Sequence, residues 1–405
     1  MTDSLPPLDG LTVLEISSFV AAPLGGMTLA QLGAEVIRID PLAGGPDLHR
    51  WPLAPSGTSL YWAGLNKGKR SVALNLRDPE GQRLVGDLLA ASGADGGIVL
   101  TNAPGRGLLG QASLGERRPD LIHLQVQGQR DGRAAVDYTV NAATGFPLIT
   151  GPEEVAGPVN HVLPAWDIAC GLYAAAGLLA AERRRRRTGA GSVITLALAD
   201  VALAVAGHLG FLADAQLSGA DRPRVGNHLY GGLGRDFLTA DGKRVMVVAL
   251  TRRHFADLAA ATGLTGTFTE LERLLGADFT EDGDRYRHRQ VIAALLEPWF
   301  AQRKLAEVER DLANASVLWS PYRSFAEVAG DDGNPLLQEI SQPGVGPLLA
   351  PGSPLVMDGV PGARPAPVFG ADTESVLTGM LGLSTADVHA LAERGVTGRP
   401  VQADQ

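Results

Sequence analysis

Asp167 stands at the mouth of a small-residue helix, in the stretch HVLPAWDIACGLYAAAGLLAAERRRRRTGAG. A carboxylate held there can attack an acyl group directly, with no thiol, serine or metal machinery. A helix N-terminus favours the ionised form, which keeps the nucleophile available at neutral pH. Small neighbours at Ala165, Ala169, Cys170 and Gly171 would let a ligand approach closely. The same residue has an ordinary use: Asp is a preferred N-cap, accepting from a backbone N–H of the first turn. The local sequence leaves both uses open.

Other reactive side chains are few. Cys170 is the only cysteine, which excludes an intrachain disulfide framework and a cysteine-built zinc site. It reads as a small buried hydrophobe. His161 and His228 are candidate general bases, but no His pair has metal spacing and no G-x-S-x-G elbow occurs. The run Asn66-Lys67-Gly68-Lys69-Arg70-Ser71 holds two of the four lysines. It is either a solvated loop or a ligand-facing cluster. Arg183–Arg187 ends a helix, where cations oppose the dipole, and reads as a solvated face. The segment GNHLYGGLGR, residues 226–235, carries His228, Tyr230, Gly231, Gly232 and Arg235. It is either a flexible linker or a loop that closes over a reactive intermediate.

Alternating elements must position these groups. Strands are expected at Leu11–Ser17, Glu35–Asp40, Ser71–Leu76, Gly97–Thr101, Leu121–Val126 and Val193–Leu198. Helices are expected at Gly25–Leu32, Pro79–Ala91 and Ile168–Arg186. The alternation predicts an α/β fold with a doubly wound, mostly parallel sheet. After residue 225 the pattern changes to α+β, with a strand at Arg244–Leu250 and helices at His254–Ala261, Arg285–Gln302 and Lys304–Ala313. This divides the chain into a large domain, residues 1–225 and 326–405, and a small domain, residues 226–325. The Pro- and Gly-rich tail reads as an extended segment returning across the large domain before a last helix at Thr385–Glu393. Asp40 lies where a dinucleotide ribose contact would fall, but Pro23-Leu24-Gly25-Gly26 followed by Gly33 is not G-x-G-x-x-G.

The net charge of −9 argues against a nucleic-acid partner. The N-terminal residues show no basic region followed by an apolar run, and no apolar stretch reaches the length of a membrane span. A cytoplasmic protein with no membrane partner is expected.

The segments LDGLTVLEISSFVAAPLGGMTLAQLGAEVIRID, NKGKRSVALNLRDPEGQ, PAWDIACGLYAAAGLLAAERRRRRTGAG and PAPVFGADTESVL resemble the class III CoA-transferases, the formyl-CoA transferase and carnitine CoA-transferase group. The resemblance covers essentially the whole chain. It implies a Rossmann-like large domain with a parallel sheet, a smaller α+β domain, and two subunits interlocked like chain links in a homodimer. It places the catalytic carboxylate at Asp167. It implies CoA contacts at Val20 and Ala21, at Leu74, Asn75, Leu76 and Arg77, at Asn102, and at Gln127, Gly128, Gln129 and Arg130. The loop at Tyr230, Gly231 and Gly232 would cover the acyl group. No metal is implied, and no cofactor beyond the CoA moiety of the acyl-CoA substrate.

There are departures. Val20 and Gln127 replace a glutamine and a lysine of formyl-CoA transferase, and Val136 stands where the related racemases carry a catalytic His. Proton abstraction at an α-carbon would lack that base. The segments FVAAPLGGMTLAQLGA, YWAGLNKGKRS, GRDFLTADGKRVMVVALT, NHVLPAWDI and QPGVGPLLAPGSPL are similar to a subgroup that moves CoA between the two carboxyl groups of one 2-methylfumaryl unit. This implies intramolecular transfer through an aspartyl anhydride and an aspartyl-CoA thioester, in glyoxylate assimilation linked to 3-hydroxypropionate carbon fixation. Arg50, Arg130 and His228 would hold the second carboxylate, and Trp51, Tyr61, Trp62 and Tyr230 would narrow the pocket. The alternatives are intermolecular transfer between dicarboxylic acids and a protein that only binds a CoA ester.

Overall fold

The computed structural model describes residues 4–103, 105–331 and 333–398. They form two compact units, Met1–Thr144 with His161–Gly210 and Asp332–Gln405, and Gly145–Asn160 with Phe211–Asp331.

The first unit is built on six parallel strands, β1 (Thr12–Ile16), β2 (Glu35–Asp40), β3 (Arg70–Ala73), β4 (Ile98–Thr101), β5 (Ile122–Gln127) and β6 (Ser192–Ala197). Their order is β3-β2-β1-β4-β5-β6, the doubly wound arrangement that the alternation predicts. Central strands are apolar on both faces because helices cover both faces; Val13 and Leu14 of β1 are fully buried. The order reverses between β1 and β4, which opens a crevice at their carboxyl ends. The helix after β1 begins at Ala21 and runs to Gln31, four residues ahead of the expected start.

The Ala21–Gln31 helix packs on Ala165–Thr188 through small residues. A Cβ at Gly171 would meet the Ala21 carbonyl at 2.7 Å, and one at Gly25 the Gly171 carbonyl at 3.0 Å. Gly171 is therefore small for helix packing, and the expectation that it admits ligand is corrected.

The lysine-rich turn is neither solvated nor ligand-facing. Lys69 is buried and donates to Glu15 (2.8 Å), the Pro23 carbonyl and Asn66. Lys67 is buried and bonds the Gly64 carbonyl. Arg38, also fully buried, donates to Asp40, Asp47, Asn66 and the Ser17 carbonyl. Within Arg183–Arg187, Arg185 is buried and donates to the Gly96 carbonyl (2.6 Å), so that run is not wholly a solvated face.

The tail does more than extend. It forms an antiparallel hairpin, β10 (Leu337–Gln342) with β11 (Gly346–Pro351), and a helix at Thr373–Leu381 ahead of Thr385–Glu393. Asp372 Oδ2 accepts from Ser71 N–H and Thr373 Oγ1 from Ala73 N–H, which satisfies the outer edge of β3.

The second unit holds an antiparallel sheet of β7 (Leu233–Leu238), β8 (Arg244–Ala249) and β9 (Leu318–Pro321). Its core includes Phe237 stacked on Phe300 at 4.4 Å. Residues 145–160 and 211–225, read above as large-domain, cluster here: Phe146 meets Phe211 edge-on at 5.1 Å, and Arg224 donates to the Leu148 and Val155 carbonyls. The helix expected at Arg285–Gln302 is two helices, Asp282–Arg287 and Arg289–Ala301, separated at His288. Among the described residues no single helix is long and apolar enough to cross a membrane.

Candidate active site

Asp167 is the third residue of the Ala165–Thr188 helix, half-buried. It is not the cap. Pro164 occupies the cap position without a side-chain bond, and the cap comes from a distant residue. Asp137 Oδ2 accepts from the N–H of Trp166 at 2.8 Å and of Asp167 at 3.1 Å. The capping use of Asp167 is thereby corrected. No hydrogen bond reaches its carboxylate from any described residue, which leaves it open to an incoming electrophile.

Burial, then the negative charge of Asp137, pushes the Asp167 carboxyl up to about 6, against the pull of Arg50. It is ionised at neutral pH and more basic than a free carboxylate. Arg50 lies over the Tyr61 ring at 4.4 Å and toward the Phe19 ring at 5.5 Å. Burial raises the Tyr61 hydroxyl above its ordinary value, and Asp167 adds to the effect. Phe19 adopts a positive φ of 66°, rare for a non-glycine residue and concentrated at functional sites. Asp167, Asp137, Arg50 and Tyr61 thus form one electrostatic unit.

Cys170 is fully buried, and its thiol is pushed up to about 12, mainly by burial. It is inert at neutral pH. His161 Nε2 sits 3.2 Å from Asn141 Oδ1, which also accepts from Trp166 Nε1 at 3.1 Å. This histidine belongs to the network behind the helix start. Val136, at the position of the racemase His, is 59% exposed.

The residues expected to contact CoA divide. A cavity of about 550 Å³ lies at the carboxyl ends of β1, β2 and β4. Asn75, Leu76, Arg77 and Asn102 line it. Asn102 also clamps the loop after β1, accepting from Ser18 N–H (3.0 Å) and donating to the Ser18 carbonyl (2.7 Å). Leu74 is buried beneath, and Val20 and Ala21 are buried at the start of the first helix. Asp40 borders the cavity, but both carboxylate oxygens are bonded to Arg38, which removes it as a ribose ligand.

Gln127, Gly128, Gln129 and Arg130 follow from β5 and do not line this cavity. Gln127 Nε2 donates to the Arg130 carbonyl. A Cβ at Gly128 would strike Ala135 N at 2.2 Å. The Arg130 guanidinium is 83% exposed and pairs with Asp200 at 2.8 Å. Of the aromatic candidates, Trp51 is exposed, while Trp62 is buried under Arg38 with its Nε1 bonded to the Pro367 carbonyl. Trp62 thus supports the ion cluster, and it also borders a cavity of about 520 Å³ with His49, Ser59, Gln342 and Phe369.

In the second unit, burial and then the cations Arg235 and Arg289 pull the His228 imidazole down. Tyr230 packs against Tyr286 at 5.1 Å, with Arg222 over its ring at 4.5 Å. Gly231 has φ +79°, and Leu233, Gly234 and Arg235 belong to β7. The glycine-rich segment is thus part strand. Arg235 pairs with Glu297 at 3.0 Å.

Sequence reasoning missed Asp137 and Phe19. Asp137 is adjacent to Val136, but its partner N–H groups lie 29 and 30 residues away, beyond local patterns.

Comparison with known proteins agrees with this architecture. The family model described as CoA-transferase family III matches residues 8–373. The chain is 52% identical over 404 residues to 2-methylfumaryl-CoA isomerase of Chloroflexus aurantiacus, covering 98% of this chain and 99% of that protein. It is 30% identical to succinate--glutarate CoA-transferase of Agrobacterium fabrum, covering 81% of this chain and 84% of that one. The crystal structure of a CAIB/BAIF family protein from Brucella suis superposes with a TM-score of 0.77 at 25% identity, covering 93% of this chain and all of that one. The chain belongs to CoA-transferase family III.

Proposed function

We propose that this protein moves CoA within one molecule, converting 2-methylfumaryl-CoA to 3-methylfumaryl-CoA. The observation that carries the reading is an unbonded, basic carboxylate, Asp167, in a chain half identical to 2-methylfumaryl-CoA isomerase. Asp167 attacks the C1 thioester carbonyl, the C–S bond breaks, and a mixed anhydride forms as CoA thiolate leaves. The thiolate attacks the aspartyl carbonyl and expels 2-methylfumarate, leaving an aspartyl-CoA thioester. The C4 carboxylate of the freed acid then attacks that thioester, whose C–S bond breaks to expel thiolate and leave a second mixed anhydride. Thiolate attack at C4 yields product and restores Asp167. One thioester enters and one leaves, so the reaction balances without ATP or another cofactor.

The free acid must turn over without escaping, which calls for a closed, dry pocket. Labelled free 2-methylfumarate added to the running reaction should leave the product ester unlabelled. Label in the product would replace this reading with intermolecular transfer between dicarboxylic acids, the activity that the relative from Agrobacterium fabrum is named for. Hydroxylamine trapping of an Asp167 acyl adduct separates either enzyme from a protein that only binds the ester.

Arg50 is the candidate first-unit partner for the migrating carboxylate, since its guanidinium is already held by two aromatic rings. Arg50→Ala should lower kcat/KM by about 10- to 100-fold, the worth of a charge-assisted pair. It should also move the acid limb of the pH profile upward, because Arg50 holds the Asp167 carboxyl down. An unchanged kcat/KM would remove Arg50 from the substrate site. The family likeness and exposed Leu172 and Tyr173 on the Asp167 helix support an interlocked homodimer, and the single cysteine supports a cytoplasmic setting.

A further inference from the structure

The Ala165–Thr188 helix depends on Asp137 for its start, and Asp137 does more than cap. It is buried, at 3% exposure. One oxygen holds the Trp166 and Asp167 N–H groups, and the other, Oδ1, is buried with no hydrogen-bond partner. A cap requires one oxygen and no charge; Ser and Asn cap as well as Asp. A buried carboxyl with one bare oxygen, placed so that it raises the neighbouring Asp167 carboxyl, is costly unless that arrangement is used.

We infer that Asp137 is the positioning residue of the nucleophile: it fixes the backbone of Asp167 and presses its own charge against the Asp167 carboxylate. The inference rests on Asp167 being the acyl acceptor. Attack converts that carboxylate into a neutral anhydride, so the repulsion exists in the resting enzyme and is relieved as the bond forms. Only an interaction that differs between ground and transition states accelerates the step.

The groups facing Asp167 are known from every side. Asp137 comes from the Asp137–Ala142 helix, Arg50 and Tyr61 from the segment around the Leu60–Leu65 helix, and Cys170 from Asp167's own helix. Arg50 opposes Asp137, and burial reinforces it. His161 is engaged with Asn141 and the Trp166 ring.

Asp137→Asn separates the two roles, because the amide oxygen can still accept both N–H groups. The acid limb of kcat/KM reports the free enzyme's carboxylate. In the variant it should move to lower pH by about one unit, with kcat lower by about tenfold, the same factor in rate. Carbon-13 titration of the Asp167 carboxyl, in wild type and variant without substrate, should show the same downward shift. That readout stands whatever the acyl group proves to be. If Asp137→Asn does not fold, Asp137→Ser serves, since Ser also caps. A variant that loses activity while the acid limb and the Asp167 titration stay in place would reduce Asp137 to a cap and overturn the inference.

Discussion

Asp167→Asn is expected to abolish turnover and to raise the melting temperature at once. The loss follows from chemistry: an amide cannot form the anhydride, and removal of a covalent nucleophile costs at least about 10⁴-fold in kcat. The gain follows from the environment. Burial and Asp137 raise the carboxyl from 3.8 to about 6 in the folded protein, so folding is opposed wherever the group is ionised. The folded form binds the proton more tightly than the unfolded chain. The penalty is absent below the unfolded value near 4, grows through that interval and is complete above about pH 6.

At roughly 1.36 kcal/mol per unit the ceiling is about 3 kcal/mol, and partial exposure reduces it to about 1–2 kcal/mol. Thermal melts at pH 8 should therefore place the Asn variant about 2–6 °C above wild type, and the advantage should vanish near pH 4. Loss of activity with a lowered melting point at pH 8 would mean that Asp167 is a structural residue. Retention of activity within about tenfold would end both transferase readings.

The parts legible in the sequence were those carried by local periodicity. Pro79–Ala91 and Glu35–Asp40 fall where the pattern puts them, because their faces alternate with the periods of helix and strand. Less legible was anything decided by a partner far along the chain. Lys69 looks like surface until Glu15, 54 residues earlier, is brought against it. Asp167 looks like a cap until Asp137 takes that place. Leu233–Leu238 pairs as a strand despite its glycine-rich approach because β8 supplies an antiparallel edge. The site shows the same division. Asn75, Leu76, Arg77 and Asn102 line one cavity, whereas Gln127–Arg130 hydrogen-bond among themselves and with Asp200.

Lys69→Met should unfold the first unit far more readily than its surface-loop sequence suggests. Burial pulls the Lys69 ammonium down to about 8 while Glu15 holds it up, so it is charged at neutral pH. Its removal leaves Glu15 fully buried with one oxygen already unpartnered. The other oxygen keeps only Ser17 Oγ at 2.7 Å and Arg38 at 3.9 Å. Breaking one side of a buried pair costs about 3–5 kcal/mol, which urea unfolding would register as a lowered midpoint with an unchanged slope. Glu15→Gln combined with Lys69→Met removes the stranded charge, so the double variant should recover about 1–3 kcal/mol of that loss.

The effect reaches function through the backbone. Lys69 binds the Pro23 carbonyl and Arg38 the Ser17 carbonyl, so the cluster grips the backbone on both sides of Phe19, Val20 and Ala21, across the start of the Ala21–Gln31 helix. At a temperature where Lys69→Met stays folded, KM for the CoA ester should therefore rise while the acid limb set by Asp167 stays in place. An unfolding free energy within about 1 kcal/mol of wild type would show that packing, not the ion cluster, holds this segment.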